Sequence, residues 1–234
     1  MPNGIELKAL SEPLRGTPRT EAAVGAAALR VKRLVDVVGS ATLLVATAPV
    51  MLAIACAVRL DSRGPALFRQ VRIGRNRRRP GEIVPPEILN RRREDLFGKP
   101  FTIYKFRTMG VTSSPYATTP SGGGDPRVTR LGRFLRRSCL DELPQVINVL
   151  RGEMSLVGPR PEMPFIVRDY APHVRRRLDV APGITGLWQI HATRERAIHE
   201  SIEWDLEYID QWSLGLDMRV LLDTLLFVLR LKNF

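Results

Sequence analysis

Residues Leu34 to Val58 read LVDVVGSATLLVATAPVMLAIACAV, an apolar run with one charge, Asp36, near its start and one proline, Pro49, past its middle. The reading of this run decides the architecture, because about 20 consecutive apolar residues suffice to span a bilayer as a helix. A cleaved secretory signal, with Ala46-Thr47-Ala48 as its small-residue site, is set aside: a long segment precedes the run, and apolarity continues past Ala48. Basic residues flank both ends, Arg30, Lys32 and Arg33 before and Arg59, Arg63, Arg69 and Arg72 after. A spanning helix carries such an excess on one side only, so both ends favour the cytoplasm. Pro49 removes a backbone donor and obstructs the helix, which allows two short halves that enter and leave one leaflet. Flanks and proline leave re-entrant and spanning geometries both open.

Upstream, residues 1–30 mix Pro, Gly, Ala, Ser and charges without periodicity and read as a flexible N-terminal arm. Downstream, GPALFRQVRIG has a Gly-Pro turn followed by alternation, and PFTIYKFRTM alternates again, which predicts two strands paired as a β-hairpin. Between them, residues 75–99 form an arginine- and proline-rich insertion, read as an exposed loop or as a clamp for lipid headgroups. VTSSPYATTPSGGG, residues 111–124, is a flexible loop suited to act as a lid. DPRVTRLGRFLRR and ELPQVINVLRGEMS have helical spacing, Pro182-Gly183 and Thr185-Gly186 signal turns, and Ile198 to Lys232 is helical in pattern. Its end, LLDTLLFVLRL, is too short to span and suits a membrane interface or a core. The expected class is α+β, predominantly α, with a membrane segment over 31–59 and a domain over 60–234.

The 234 residues are 44% hydrophobic, enough for a core, which excludes disorder throughout. Thirty-six basic residues against 24 acidic give a net charge of +12, which attracts polyanions: nucleic acid, phosphorylated substrates or an anionic membrane. Cys56 and Cys139 imply no disulfide framework, and His173, His191 and His199 lack zinc-ligand spacing.

The chemistry concentrates in RRSCLDELPQ, residues 136–145, where two adjacent carboxylates follow two arginines. Ser138-x-x-Asp141 fits a capping box, and acids in a first helical turn complement the macrodipole, so Asp141 and Glu142 have a purely structural reading. The catalytic reading uses the same placement. A helix start keeps an aspartate ionised and favours a nearby phosphate, and attack on phosphorus then needs cations. Lys105, Arg107, Arg136, Arg137 and Arg160 are the candidates. Glu142 is suited to hold Mg²⁺, which takes one or two carboxylates plus substrate phosphates. Pro159-Arg160-Pro161 is either a stiff surface turn or a device that aims a phosphate-binding arginine at low entropic cost.

Taken in order, KRLVDVVGS, GPALFRQVRIG, FTIYKFRTM, TRLGRFLRRSCLDELPQVINVLRGEMSLVGPRP, PGITG and DLEYIDQWSLGLDM resemble the bacterial sugar transferases, the monotopic polyprenyl-phosphate phosphoglycosyl transferases. The resemblance covers Val31 to the C-terminus. It implies that Asp141 is the nucleophile on the β-phosphorus of a UDP-sugar, expelling UMP, and that polyprenyl (undecaprenyl) phosphate then takes the sugar phosphate from the aspartate. The product would initiate an exopolysaccharide or other surface glycan. Glu142 matches the Mg²⁺-associated acid, Arg136 the upstream arginine, Lys105 and Arg107 the basics of the strand motif, and Pro159, Arg160 and Pro161 the Pro-Arg-Pro motif. The resemblance also implies a re-entrant helix broken at Pro49, interfacial amphipathic helices, and a catalytic domain on the cytoplasmic face of the bacterial inner membrane. Expected partners are a UDP-sugar, polyprenyl phosphate and the membrane, with a homo-oligomer allowed and no nucleic acid.

This sequence departs from the family pattern at Ala48-Pro49, where Ser-Pro is common, at Cys139, where serine is usual, in the long insertion 75–99, and in GLWQIHATR. The last of these withholds any sugar assignment. Two rival readings remain beside the covalent route. One is a non-catalytic basic protein that binds anionic lipid or another polyanion. The other is direct transfer in a ternary complex, with Asp141 activating the acceptor.

Overall fold

A computed structural model of the chain describes residues 25–76, 96–111, 125–191 and 202–231. Helix α1 covers Ala26–Asp61, the one described helix long and apolar enough to cross a membrane. It starts slightly ahead of the expected Val31, and the helical assignment runs through Pro49, so the run does not divide into two separate elements there. Thr47 Oγ1 donates to the Leu43 carbonyl at 2.7 Å, a back-bond that bends helices, two residues before the proline.

Strands β1, Leu67–Ile73, and β2, Pro100–Phe106, pair antiparallel with Leu67 opposite Phe106 and Ile73 opposite Pro100, as the alternation predicts. Residues 77–95, most of the arginine-rich insertion between them, lie outside the described residues. So do the loop after Val111 and the N-terminal arm before Gly25.

Helix α2 is Arg130–Arg137, capped by Thr129, whose side chain accepts from the Gly132 amide. A Cβ on Gly132 would sit 2.1 Å from the Thr108 carbonyl, so only glycine lets α2 lie against the chain leaving β2. A short 3₁₀ helix, Leu140–Gln145, leads into α3, Val146–Leu150. Asn148, fully buried, fastens α3 to the free edge of β2 by accepting from the Tyr104 amide at 3.2 Å and donating to the Thr102 carbonyl at 2.7 Å.

Strand β3, Ser155–Val157, pairs parallel with β4, Gly183–Thr185, where turn signals alone were expected. At three residues each, these strands are too short to show alternation. Between them lie α4, Pro164–Arg168, and a 3₁₀ turn, Val174–Leu178. Helices α5, Leu187–His191, α6, Ile202–Gln211, and α7, Leu214–Leu231, complete the chain. The stretch Ile198 to Lys232, read as helical in pattern, holds two helices among its described residues, separated at Trp212-Ser213.

Two of the apolar clusters position α1. Val157, Leu187, Tyr208, Ile209, Trp212 and Val220 pack with Ala28 and Leu29 at one end of the helix, and Phe106 and Leu135 pack with Ile54 and Val58 toward the other. Polar contacts reinforce the N-terminal end. Lys32 reaches Asp217 at 2.6 Å, Arg33 donates to the Val149 and Leu150 carbonyls, and Asp36 accepts from the Ser155 hydroxyl and the Leu156 amide. Between Ala41 and Ala53 no residue of α1 is buried.

Candidate active site

The path of the chain into the site turns on Cys139, which adopts a left-handed conformation with φ 57°. This reverses the chain between α2 and the 3₁₀ helix and places Asp141 and Glu142 in its first turn. The capping box is absent. Ser138 ends α2, its hydroxyl donating to the Phe134 and Leu135 carbonyls, and no side chain caps the 3₁₀ helix.

Glu142 is the centre of an ion-pair cluster. Its Oε1 accepts from Lys105 Nζ at 2.6 Å and from Arg160 Nη2 at 3.1 Å. Burial pushes its pKa up, but Lys105 and Arg160 outweigh that and hold it at about 2. Lys105, reciprocally, is lowered from the usual lysine value, by burial first, with Glu142 opposing. Arg160 is raised by Glu142 and lies over the Trp188 ring, 5.9 Å from its centroid.

Asp141 is buried, at 9% exposure, yet no described residue donates a hydrogen bond to its carboxylate. Burial pushes its pKa up to about 6, against the pull of Lys105, and Glu142 adds to the rise. A helix start was expected to help hold it ionised; burial works against that and raises the pH at which it ionises. Arg136 stands near enough to act on Asp141 electrostatically while its Nε donates to Thr108 Oγ1 at 2.8 Å.

The structure therefore brings Lys105, Arg136, Asp141, Glu142 and Arg160 together. It places Arg107 elsewhere. The Arg107 guanidinium donates to the carbonyls of Val58, Ser62 and Pro65 and to the Ser62 hydroxyl, closing the C-terminal end of α1. Pro49 lies on the exposed middle of α1, far along the sequence from any packed contact of the site.

Pro159-Arg160-Pro161 is held through its backbone. The Pro159 carbonyl accepts from the Gly183 amide at 2.8 Å, the Arg160 carbonyl from Arg177 Nη2 at 3.1 Å, and the Pro161 carbonyl from Arg72 Nη1 at 3.1 Å. A Cβ on Gly183 would meet the Gly158 amide nitrogen at 2.1 Å, so glycine is required where β4 passes this turn. Arg177 is itself buried and pairs with Asp205 at 2.6 Å, with Glu162 at 3.8 Å and with the Tyr170 hydroxyl. Burial pushes Asp205 up to about 6, with Arg177 pulling it down. Sequence reasoning missed this support: nothing local separates Arg177 from its neighbours Arg175 and Arg176 in APHVRRRLD.

Among the described residues no group of three or more His, Cys, Asp or Glu is arranged to hold a metal ion. Asp141 and Glu142 offer adjacent carboxylates, and the hydrogen bonds from Lys105 and Arg160 to Glu142 both fall on Oε1. That suits Mg²⁺, which completes its shell with water and substrate phosphates, and does not suit a closed protein cage.

The chain is 39% identical over 210 residues to the UDP-glucose:undecaprenyl-phosphate glucose-1-phosphate transferase of Caulobacter vibrioides, covering 86% of this chain and 71% of that protein. It is 37% identical over 227 residues to the Escherichia coli protein of the same name, covering 93% of this chain and 42% of the relative. Galactosyl transferase CpsE of Streptococcus agalactiae is 35% identical over 210 residues, 85% of this chain and 42% of the relative. The chain thus spans less than half the length of two of these three relatives. A match to the bacterial sugar transferase family runs over residues 27–231, nearly the whole chain, and the chain belongs to that family.

Proposed function

We propose that this chain is a phosphoglycosyl transferase that moves a sugar 1-phosphate from a UDP-sugar to undecaprenyl phosphate, through an aspartyl-phosphosugar intermediate, to initiate exopolysaccharide or glycan assembly. The observation that carries it is the contrast inside one dipeptide. Glu142 is neutralised by Lys105 and Arg160, whereas the adjacent Asp141 is buried with no hydrogen-bond donor of its own. An unencumbered carboxylate beside three cations is what attack on a diphosphate requires.

In this reading an Asp141 oxygen attacks the β-phosphorus, the bond to the UMP oxygen breaks, and UMP leaves with the electron pair. Lys105, Arg136 and Arg160 neutralise the charge on the two phosphates. An oxygen of the lipid phosphate then attacks the same phosphorus, and the aspartyl oxygen leaves as carboxylate. Glu142 would hold Mg²⁺, which would supply further neutralisation of phosphate charge.

The membrane geometry we propose is re-entrant, with the catalytic domain on the cytoplasmic face of the inner membrane. It is supported by contacts that hold both ends of α1 to one body while its middle is bare. Exposed Met218, Leu222 and Leu225 on α7, with Phe134 on α2 and Phe165 on α4, supply further apolar surface for the interface.

Purified protein incubated with Mg²⁺ and radiolabelled UDP-glucose or UDP-galactose, without lipid acceptor, is expected to release UMP in stoichiometric amount and to carry the label. Asp141→Asn is expected to do neither. UMP release that strictly requires the lipid acceptor would favour direct transfer, and no release under any condition would sink the enzymatic reading.

A further inference from the structure

Behind the Glu142 ion pairs lies a small cavity walled by Arg72, Ile103, Lys105, Gln145, Arg160 and Gly183. Three of its walls are cations. All three are committed in part to other groups, Arg72 to the Pro161 carbonyl and Glu162, and Lys105 and Arg160 to Glu142. The remaining polar wall is Gln145, which is 2% exposed, and its Nε2 has no hydrogen-bond partner.

A buried amide donor left unpaired is uncommon and calls for a partner absent from the protein itself. The surroundings specify that partner. Three cations, each with N–H groups beyond those already paired, and one neutral donor line it, a set that suits a phosphoryl oxygen better than a sugar hydroxyl. Gln145 also belongs to the same six-residue 3₁₀ helix as Asp141, so its position relative to the nucleophile is fixed by the backbone.

We propose that Gln145 is a further substrate-binding residue of the transfer, its Nε2–H₂ donating to a non-bridging oxygen of the phosphoryl group that Asp141 attacks. This role rests on the proposed function. Being neutral and pre-oriented by burial, the amide stabilises the oxygen as charge builds on it, without competing with Asp141 for the cations.

Gln145→Met keeps the side-chain length and removes the donor. In the full chain it is expected to lower kcat for UMP release about 100-fold, the loss typical of one pre-oriented donor. The KM for the UDP-sugar is expected to stay within about threefold, because the contact strengthens in the transition state. A packing role alone would lower thermal stability and leave kcat of the folded enzyme intact. Gln145→Glu, which keeps the shape and replaces the donor by an acceptor, decides the point if the methionine variant does not fold: it too must lose kcat at pH 8. Wild-type kcat in either folded variant, with an active wild-type enzyme, overturns the role of Gln145 alone. A wild-type enzyme that releases no UMP from any UDP-sugar overturns the proposed function and this role together.

Discussion

Two neighbouring carboxylates of the same helix turn are driven in opposite directions, Glu142 down to about 2 by its two cations and Asp141 up to about 6 by burial. This asymmetry fits the proposed roles, and it has two consequences at Asp141. As nucleophile it must be ionised, so kcat/KM should fall about tenfold per pH unit below about 6 and level off above, a profile that steady-state assays between pH 5 and 8 would reveal. Its stability linkage has the opposite slope. The folded pKa lies above the ordinary value of 3.8, so between roughly 4 and 6 the folded chain retains a proton that the unfolded chain has released, and stability declines as pH rises through that window. Above it, the ionised buried carboxylate costs on the order of 1–3 kcal/mol. Asp141→Asn should therefore raise the melting temperature at pH 8 while abolishing transfer, and the gain should vanish near pH 4. Equal melting temperatures at pH 8 would mean that Asp141 is solvated.

At the scale of elements, what the sequence made legible is whatever extends over several periods. The β1–β2 pairing followed from alternation on both sides of a loop, and the site dipeptide from its charged neighbourhood. Arg107 illustrates where the pattern stops. Lys105 and Arg107 were both candidates for phosphate and both basics of the strand motif, but β2 ends at Phe106, and Arg107 binds the end of α1 instead. The parallel β3–β4 pair was too short to carry a period, the left-handed Cys139 has no glycine to announce it, and the Arg177–Asp205 pair joins residues from distant parts of the chain. The reassignment of Arg107 is testable. Arg107→Met removes charge-assisted bonds to three carbonyls and a hydroxyl and should cost about 3 kcal/mol of stability, with the KM for the UDP-sugar unchanged in the folded fraction. Arg160→Met should do the reverse, raising KM and lowering kcat with a smaller loss of stability. Detergent-solubilised thermal melts set beside UMP-release kinetics separate the two, and an Arg107→Met enzyme that melts like wild type but binds donor poorly would restore the phosphate role.

For the whole molecule, the question posed by the apolar run is where its two ends lie. Asp36 bonds to Ser155 and Leu156, Ile54 and Val58 pack on Phe106 and Leu135, and all of these partners belong to the same compact body. The eighteen residues from Asp36 to Ile54 would extend about 27 Å as a straight helix, close to the ~30 Å of a bilayer's hydrocarbon core. If that stretch crossed the bilayer, the ion pair of Lys32 with Asp217 and the Arg107 clamp at Ser62 would sit on opposite faces, and one folded domain cannot supply both. A bend in the exposed stretch that contains Thr47 and Pro49 satisfies both sets of contacts with the domain on one side. In a Cys56→Ser, Cys139→Ser background, single cysteines introduced by Arg30→Cys and Arg63→Cys should therefore react alike with a membrane-impermeant maleimide: both protected in intact cells, both labelled in inverted vesicles. Labelling of one in cells and the other in vesicles would establish a spanning helix and require the contacts at one end of α1 to break in the membrane.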